Sequence, residues 1–159
     1  MKELVLIAGV PGVGKSTLAR RIASAKGGTV LDLDDFKRAA VASALVTRQI
    51  DPPEVRWAYY QAALDHAFTL DGTVIMDEVF HLDSLRKRLE LACMARDVHV
   101  LWIEVRCPYA VVESRLRAGT RVGHILSTEE ALSMYLRFQE IFEGFPEGKY
   151  NHVVIDTSV

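Results

Sequence analysis

An apolar run, Leu4–Ala8, passes directly into Gly9-Val10-Pro11-Gly12-Val13-Gly14-Lys15-Ser16 and then into a helical pattern over Lys15–Lys26. Glycines at 9, 12 and 14 admit backbone conformations that other residues resist, so this segment can curl its N–H groups inward around a negative group. The spacing fits G-x-x-x-x-G-K-S/T, placed after a strand and opening a helix as its mechanism requires. In such a P-loop, backbone N–H groups and the helix N-terminus hold phosphate oxygens, Lys15 neutralises β and γ oxygens, and Ser16 ligates magnesium. Gly9, Pro11, Gly12, Val13, Gly14, Lys15, Ser16 and Thr17 are the expected nucleotide-binding residues. The expected ligands are ATP and Mg2+.

The rest of the chain supports that context. Leu4–Ala8, Thr29–Leu33, Thr73–Met76 and Val98–Val105 are short apolar runs, and Val153–Ile155 is a fifth. Parallel strands covered on both faces lose the in/out alternation, so such runs read as buried strands. Between them lie helical patterns over Lys15–Lys26, two segments within 35–70, Ser84–Arg96, Tyr109–Leu116 and Thr128–Phe142. The alternation predicts an α/β domain with a five-stranded, mainly parallel sheet. Asp51-Pro52-Pro53-Glu54 and Ser127-Thr128-Glu129-Glu130 read as helix starts, and Gly27-Gly28 and Asp71-Gly72 as turns before strands.

With 159 residues, half of them hydrophobic, and no linker or repeat, the chain is expected to form one domain over 1–159. Nineteen Lys and Arg against 21 Asp and Glu give a net charge of −2, so no global pull toward nucleic acid or anionic membrane exists. Cys93 and Cys107 have no metal-ligand spacing and read as reduced, buried thiols. The first apolar run is too short for a membrane span and unlike a signal peptide, which predicts a cytoplasmic protein.

Three further groups point to chemistry. Asp32, Asp34 and Asp35 cluster at the end of the second predicted strand, the edge where doubly wound sheets hold ligands; one could take a proton from an attacking hydroxyl, and another could cap the next helix. Asp77 ends the third strand, the place for an acid that holds magnesium through a water, with Glu78 in reserve. Arg106–Arg121 concentrates four arginines around one acid, and Arg is suited to clamping a transferring phosphoryl group. A lid over about 117–128, centred on Gly119–Ser127, would bring Arg115, Arg117 and Arg121 over the nucleotide.

Together these features resemble the small P-loop kinases: a three-layer sandwich with a five-stranded parallel core and an Arg-bearing lid. Within that group "VIMDEVF", "VLWIEVRCPYAVVESR" and "VVIDTS" are similar to chloramphenicol phosphotransferase. "DLDDFK" resembles zeta-toxin kinases, and "GVPGVGKST" with "LDDFKR" resembles polynucleotide kinases. The resemblance implies transfer from ATP to a hydroxyl, with Asp34 as the base, Lys15, Arg115 and Arg121 as further catalytic residues, Arg117 on the nucleotide, and Ser16 and Asp77 on the metal. Where such lids repeat Arg four positions apart, this chain has Gly119 after Arg115.

The acceptor is expected to be a small molecule. A polynucleotide 5′-hydroxyl is the alternative, with Trp57, Tyr59 and Tyr60 as stacking surfaces and Lys37 and Arg38 as phosphate contacts. A further alternative is an ATP-hydrolysing switch without an acceptor. A guanine-specific switch is disfavoured, because the chain's one Asn, Asn151, is followed by His152 rather than by Lys.

Overall fold

The computed structural model describes residues 1–40, 50–119 and 127–158. Five strands, β1 (Glu3–Ala8), β2 (Thr29–Asp32), β3 (Thr73–Glu78), β4 (His99–Arg106) and β5 (His152–Asp156), form one sheet in the order β2-β3-β1-β4-β5. All four strand pairings are parallel. The helices are α1 (Lys15–Lys26), α2 (Leu33–Ala40), α3 (Pro53–Ala67), α4 (Asp83–Met94), α5 (Tyr109–Ala118) and α6 (Thr128–Ile141).

Successive β1 residues divide between two cores, because side chains alternate across a strand. Leu4, Leu6 and Ala8 pack with Tyr59, Tyr60 and Leu64 of α3 and with Leu85 and Leu89 of α4. Val5 and Ile7 pack with Ala19 of α1, Val112 of α5 and Leu132 and Tyr135 of α6. Helices therefore cover both faces, giving the three-layer α/β sandwich. Leu4 through Ala8 are fully buried, which explains their continuous apolar run.

Parallel pairing puts every strand's C-terminal end on one edge. Ala8 sits in register with Glu78 and Glu104, Asp32 with Asp77, and Arg106 with Asp156. This is the edge at which open α/β sheets receive ligands. Both cysteines are free and buried, and among the described residues no helix is long and apolar enough to cross a membrane.

Local signals are mostly realised. Gly27 closes α1 with a left-handed φ of 68°, and Gly72 turns into β3 with a φ of 73°. Ser127 and Glu130 form a reciprocal capping box at α6, with N–H to side-chain bonds of 3.2 and 3.0 Å. Most element boundaries fall one or two residues from expectation, and two of these shifts have a visible cause. Helix α3 starts one residue later, with Pro52 at its N-cap, while Asp51 pairs with Lys37 at 2.5 Å instead of capping. Strand β2 ends at Asp32, and Leu33 already belongs to α2. Asp32 Oδ1 accepts from the Asp34 N–H at 2.9 Å, satisfying a first-turn donor, so the strand runs into the helix without a loop.

Candidate active site

The loop between β1 and α1 is shaped by close approach as much as by turning. Gly12 and Gly14 have φ of 86° and 100°, in the left-handed region that favours glycine. At Gly9 a Cβ would stand 2.7 Å from the Val105 carbonyl oxygen, and at Gly12 2.6 Å from Val112 Cγ1, so neither position tolerates a side chain. Among the described residues no backbone carbonyl accepts from the N–H groups of Gly12, Val13 or Gly14. These donors, with the first-turn N–H groups of α1, form a cradle for an anion. Lys15 Nζ donates to the Val10 carbonyl at 3.0 Å, folded across the same loop.

Ser16 Oγ donates to Asp77 Oδ2 at 3.0 Å, joining the start of α1 to the end of β3 across 61 residues of sequence. Burial raises the Asp77 pKa above the ordinary carboxylate value, while Lys15 and the Ser16 hydrogen bond pull it back. Two hard oxygen donors beside a phosphate cradle fit magnesium, which binds through few protein ligands and takes the rest of its shell from phosphate and water. Among the described residues no three His, Cys, Asp or Glu side chains converge as a metal cage, and an ion held here would complete its shell with phosphate oxygens and water.

The aspartates after β2 separate into three environments. Asp32 is exposed and caps α2. Asp35 is exposed and pairs with Arg38 at 2.8 Å, leaving the capping role to Asp32. Asp34 lies in the first turn of α2 rather than at a strand end, and it is half-buried. Burial, then the charges of Glu78 and Asp32, push its carboxyl up to about 6, against a smaller opposing pull from Arg38 and Lys37. A carboxylate poised near neutrality is suited to taking a proton.

The arginines are engaged elsewhere. Arg115, on α5, donates to the Thr157 carbonyl oxygen at 2.5 Å and reaches Cys107 Sγ at 3.7 Å. Arg117 pairs with Glu129 at 2.5 Å and Glu113 at 3.4 Å on the surface. Arg121 and most of the expected lid, at 120–126, lie outside the described residues.

Several site residues went unread in the sequence. Arg56 is 4% exposed, 3.9 Å from the Glu78 carboxylate and 5.1 Å from the Phe138 ring, and donates to Tyr60 Oη at 3.5 Å. Glu78 is thereby committed to this cluster. Nearby His81 is buried and pushed down to about 3 by burial, Arg56 and Arg86, so it stays neutral. Thr157, just past β5, donates from Oγ1 to the Val13 carbonyl of the phosphate loop at 2.6 Å. The aromatic trio does not form a stacking surface: Tyr59 and Tyr60 are buried, and Arg88 covers Trp57 at 3.9 Å. Lys37 and Arg38 are occupied by Asp51 and Asp35.

In sequence and fold this chain is similar to known kinases. A shikimate kinase of Corynebacterium efficiens is 29% identical over 146 residues, covering 87% of this chain and 78% of its own. An uncharacterized protein of Mycobacterium tuberculosis is 32% identical over 134 residues, 76% of this chain; the match spans about a quarter, 26%, of that longer protein. A gluconokinase from Sinorhizobium meliloti superposes with a TM-score of 0.67 at 19% identity, over 99% of this chain and 83% of its own. A sugar kinase from Janibacter does so with 0.67 at 20%, over 98% and 86%. At such identities the two structures establish the fold. The sequence profile of the AAA domain family matches residues 4–143, and with its phosphate loop, parallel sheet and Ser16–Asp77 pair in place, this chain belongs to that family.

Proposed function

We propose that this chain is an ATP-dependent phosphotransferase that moves the γ-phosphate of ATP to a hydroxyl of a small molecule. The observation that carries this reading is Asp34: a half-buried carboxyl, held near pKa 6, on the same sheet edge as the Ser16–Asp77 pair and the phosphate loop. The likeness to a shikimate kinase and to gluconokinase and sugar kinase structures supports a small hydroxylated acceptor.

In the proposed reaction Asp34 accepts the acceptor's hydroxyl proton as the oxygen attacks the γ-phosphorus. The bond from γ-phosphorus to the β–γ bridging oxygen breaks, and ADP leaves. Lys15 turns from the Val10 carbonyl onto the β and γ oxygens, and the loop N–H groups hold the chain of phosphates in line. Ser16 and Asp77 would hold Mg2+, which when bound neutralises charge on the β and γ oxygens. The acceptor would lie over α2 and α3, with Arg56 and Glu78 in the wall behind it.

The acceptor's identity is open to a direct screen. Labelled ATP is offered with hydroxy acids, sugars, nucleosides, antibiotics including chloramphenicol, and 5′-hydroxyl oligonucleotides. Transfer to one small-molecule class is expected. ATP consumption that ignores every acceptor would point to a hydrolytic switch, and transfer to the oligonucleotide alone would point to a polynucleotide kinase.

A further inference from the structure

Thr157 falls in the closing "VVIDTS" stretch, where the sequence assigns it no role, yet it makes contacts to three elements of the site. Its N–H donates to the Arg106 carbonyl at 3.0 Å, continuing the β4–β5 ladder past the end of β5. Its carbonyl accepts from Arg115 of α5 at 2.5 Å. Its hydroxyl donates to the Val13 carbonyl at 2.6 Å, the shorter of two contacts, the other being Arg106 O at 3.5 Å. Its Cγ2 would lie 3.8 Å from a Cβ at Gly14, so the residue rests against the phosphate loop. A threonine held by both its own N–H and its own carbonyl is a fixed post, and its hydroxyl has one proton to give.

The peptide plane turns this into a statement about the cradle. Val13 C=O and Gly14 N–H belong to one trans peptide, so they point in opposite directions. Anchoring the carbonyl on Thr157 aims the Gly14 N–H away from β5, and no backbone carbonyl among the described residues takes that donor. Gly14 has a φ of 100°, a region where the adjoining peptide planes can rotate at little steric cost, so an external restraint is needed to fix this one.

We infer that Thr157 is a positioning residue of the nucleotide site, which orients the Gly14 N–H toward bound phosphate by holding the Val13 carbonyl, with Arg115 bracing it from α5. The inference rests on the P-loop reading above and adds a role for a residue that need not touch the nucleotide. It also accounts for Arg115, whose side chain is committed to this post.

The test compares Thr157→Val, which keeps the shape and removes the proton donor, with Thr157→Ser, which restores the donor. Calorimetry on the full chain measures ATP with magnesium and, separately, tripolyphosphate, which lacks the nucleoside. Thr157→Val should weaken both ligands by a similar factor of about three to ten, and Thr157→Ser should bind within about twofold of wild type. In wild-type protein the Gly14 amide resonance should move on addition of tripolyphosphate, a readout that does not depend on any variant folding. Loss of ATP affinity with tripolyphosphate unaffected would mean that Thr157 contacts the nucleoside, and would overturn the inference. Serine behaving like valine, or a stationary Gly14 amide, would do the same. If wild type binds ATP and Lys15→Ala does not, these failures fall on Thr157 alone; if wild type binds neither ligand, the P-loop reading falls with it.

Discussion

Asp77 and Glu78 are consecutive on β3 yet serve opposite faces of the sheet: Asp77 takes the Ser16 hydrogen bond at 3.0 Å, while Glu78 stands 3.9 Å from buried Arg56. Their register partners on β1, Ile7 and Ala8, fall in different cores for the same reason. Either acid could have been the metal carboxylate on sequence alone. The alternation assigns Asp77 to the phosphate side and Glu78 to the side of α3.

The two acids should therefore fail differently when neutralised. Asp77→Asn is expected to raise the magnesium concentration needed for half-maximal transfer by tenfold or more, roughly the loss of one charged ligand, with little change in melting temperature. Glu78→Gln should leave the magnesium dependence alone and cost about 2 kcal/mol of stability, because it strips a charge partner from Arg56. Magnesium titrations of transfer, paired with denaturant unfolding of each variant, distinguish them. A reversed pattern would exchange the two roles.

Lys15→Ala should abolish measurable transfer while costing no more than about 1 kcal/mol of stability, the value of its bond to the Val10 carbonyl. The point charge beside the β and γ phosphates has no neutral substitute. Turnover at saturating ATP and unfolding curves check both halves.

Arg86 is fully buried on α4 and donates to three backbone carbonyls: Phe80 at 2.6 Å, Glu143 at 2.6 Å and Gly144 at 3.3 Å. It also lies 3.8 Å over the Phe145 ring. Phe80 has a φ of 49°, unusual for a bulky side chain, so this arginine holds a strained turn directly after β3. Arg86→Met, which preserves volume but leaves those carbonyls without their donor, should cost about 3 kcal/mol or more, read from urea unfolding midpoints.

What could be read in the sequence followed from local chemistry. Leu4–Ala8 announces a buried strand because every residue in it is apolar, and Gly9 to Ser16 announces a phosphate loop because few other functions need that spacing. Ser127 and Glu130 were legible because a capping box involves only near neighbours. The contacts that went unread are long-range or depend on register. Nothing near Thr157 signals Val13, 144 residues away, and Arg86 looks like any helix-surface arginine until Phe145 and the Glu143 carbonyl are seen around it. Strand β2 ends one residue before its apolar run does, because Asp32 caps α2 directly and no glycine or proline marks the change.

Asp34 separates a transferase from a nucleotide binder, and its environment gives three linked expectations. An ionised base is needed for transfer, so kcat/KM should fall on the acid side with an apparent pKa near 6. Asp34→Asn should keep ATP affinity within a few-fold and lose transfer by roughly two to four orders of magnitude. The third expectation concerns stability. The folded carboxyl titrates at about 6 against an ordinary value of 3.8, so the native state binds its proton more tightly than the unfolded state does. Ionising Asp34 in the fold therefore has a cost that is absent well below the ordinary value of 3.8, grows as pH rises through it, and is fully present above about 6. Removing that charge should stabilise the protein at pH 7.5 by about 1–2 kcal/mol, discounted for the partial exposure of the group, and by only about a few tenths of a kcal/mol at pH 4. Asp35→Asn, which breaks only an exposed pair with Arg38, should change stability by less than about 0.5 kcal/mol at either pH, whereas Asp32→Asn should stay close to wild type because asparagine also caps. Unfolding free energies at the two pH values, measured beside transfer rates, decide the matter. A variant at Asp34 that is more stable and inactive identifies the base, and one that transfers normally removes the carboxylate from the reaction.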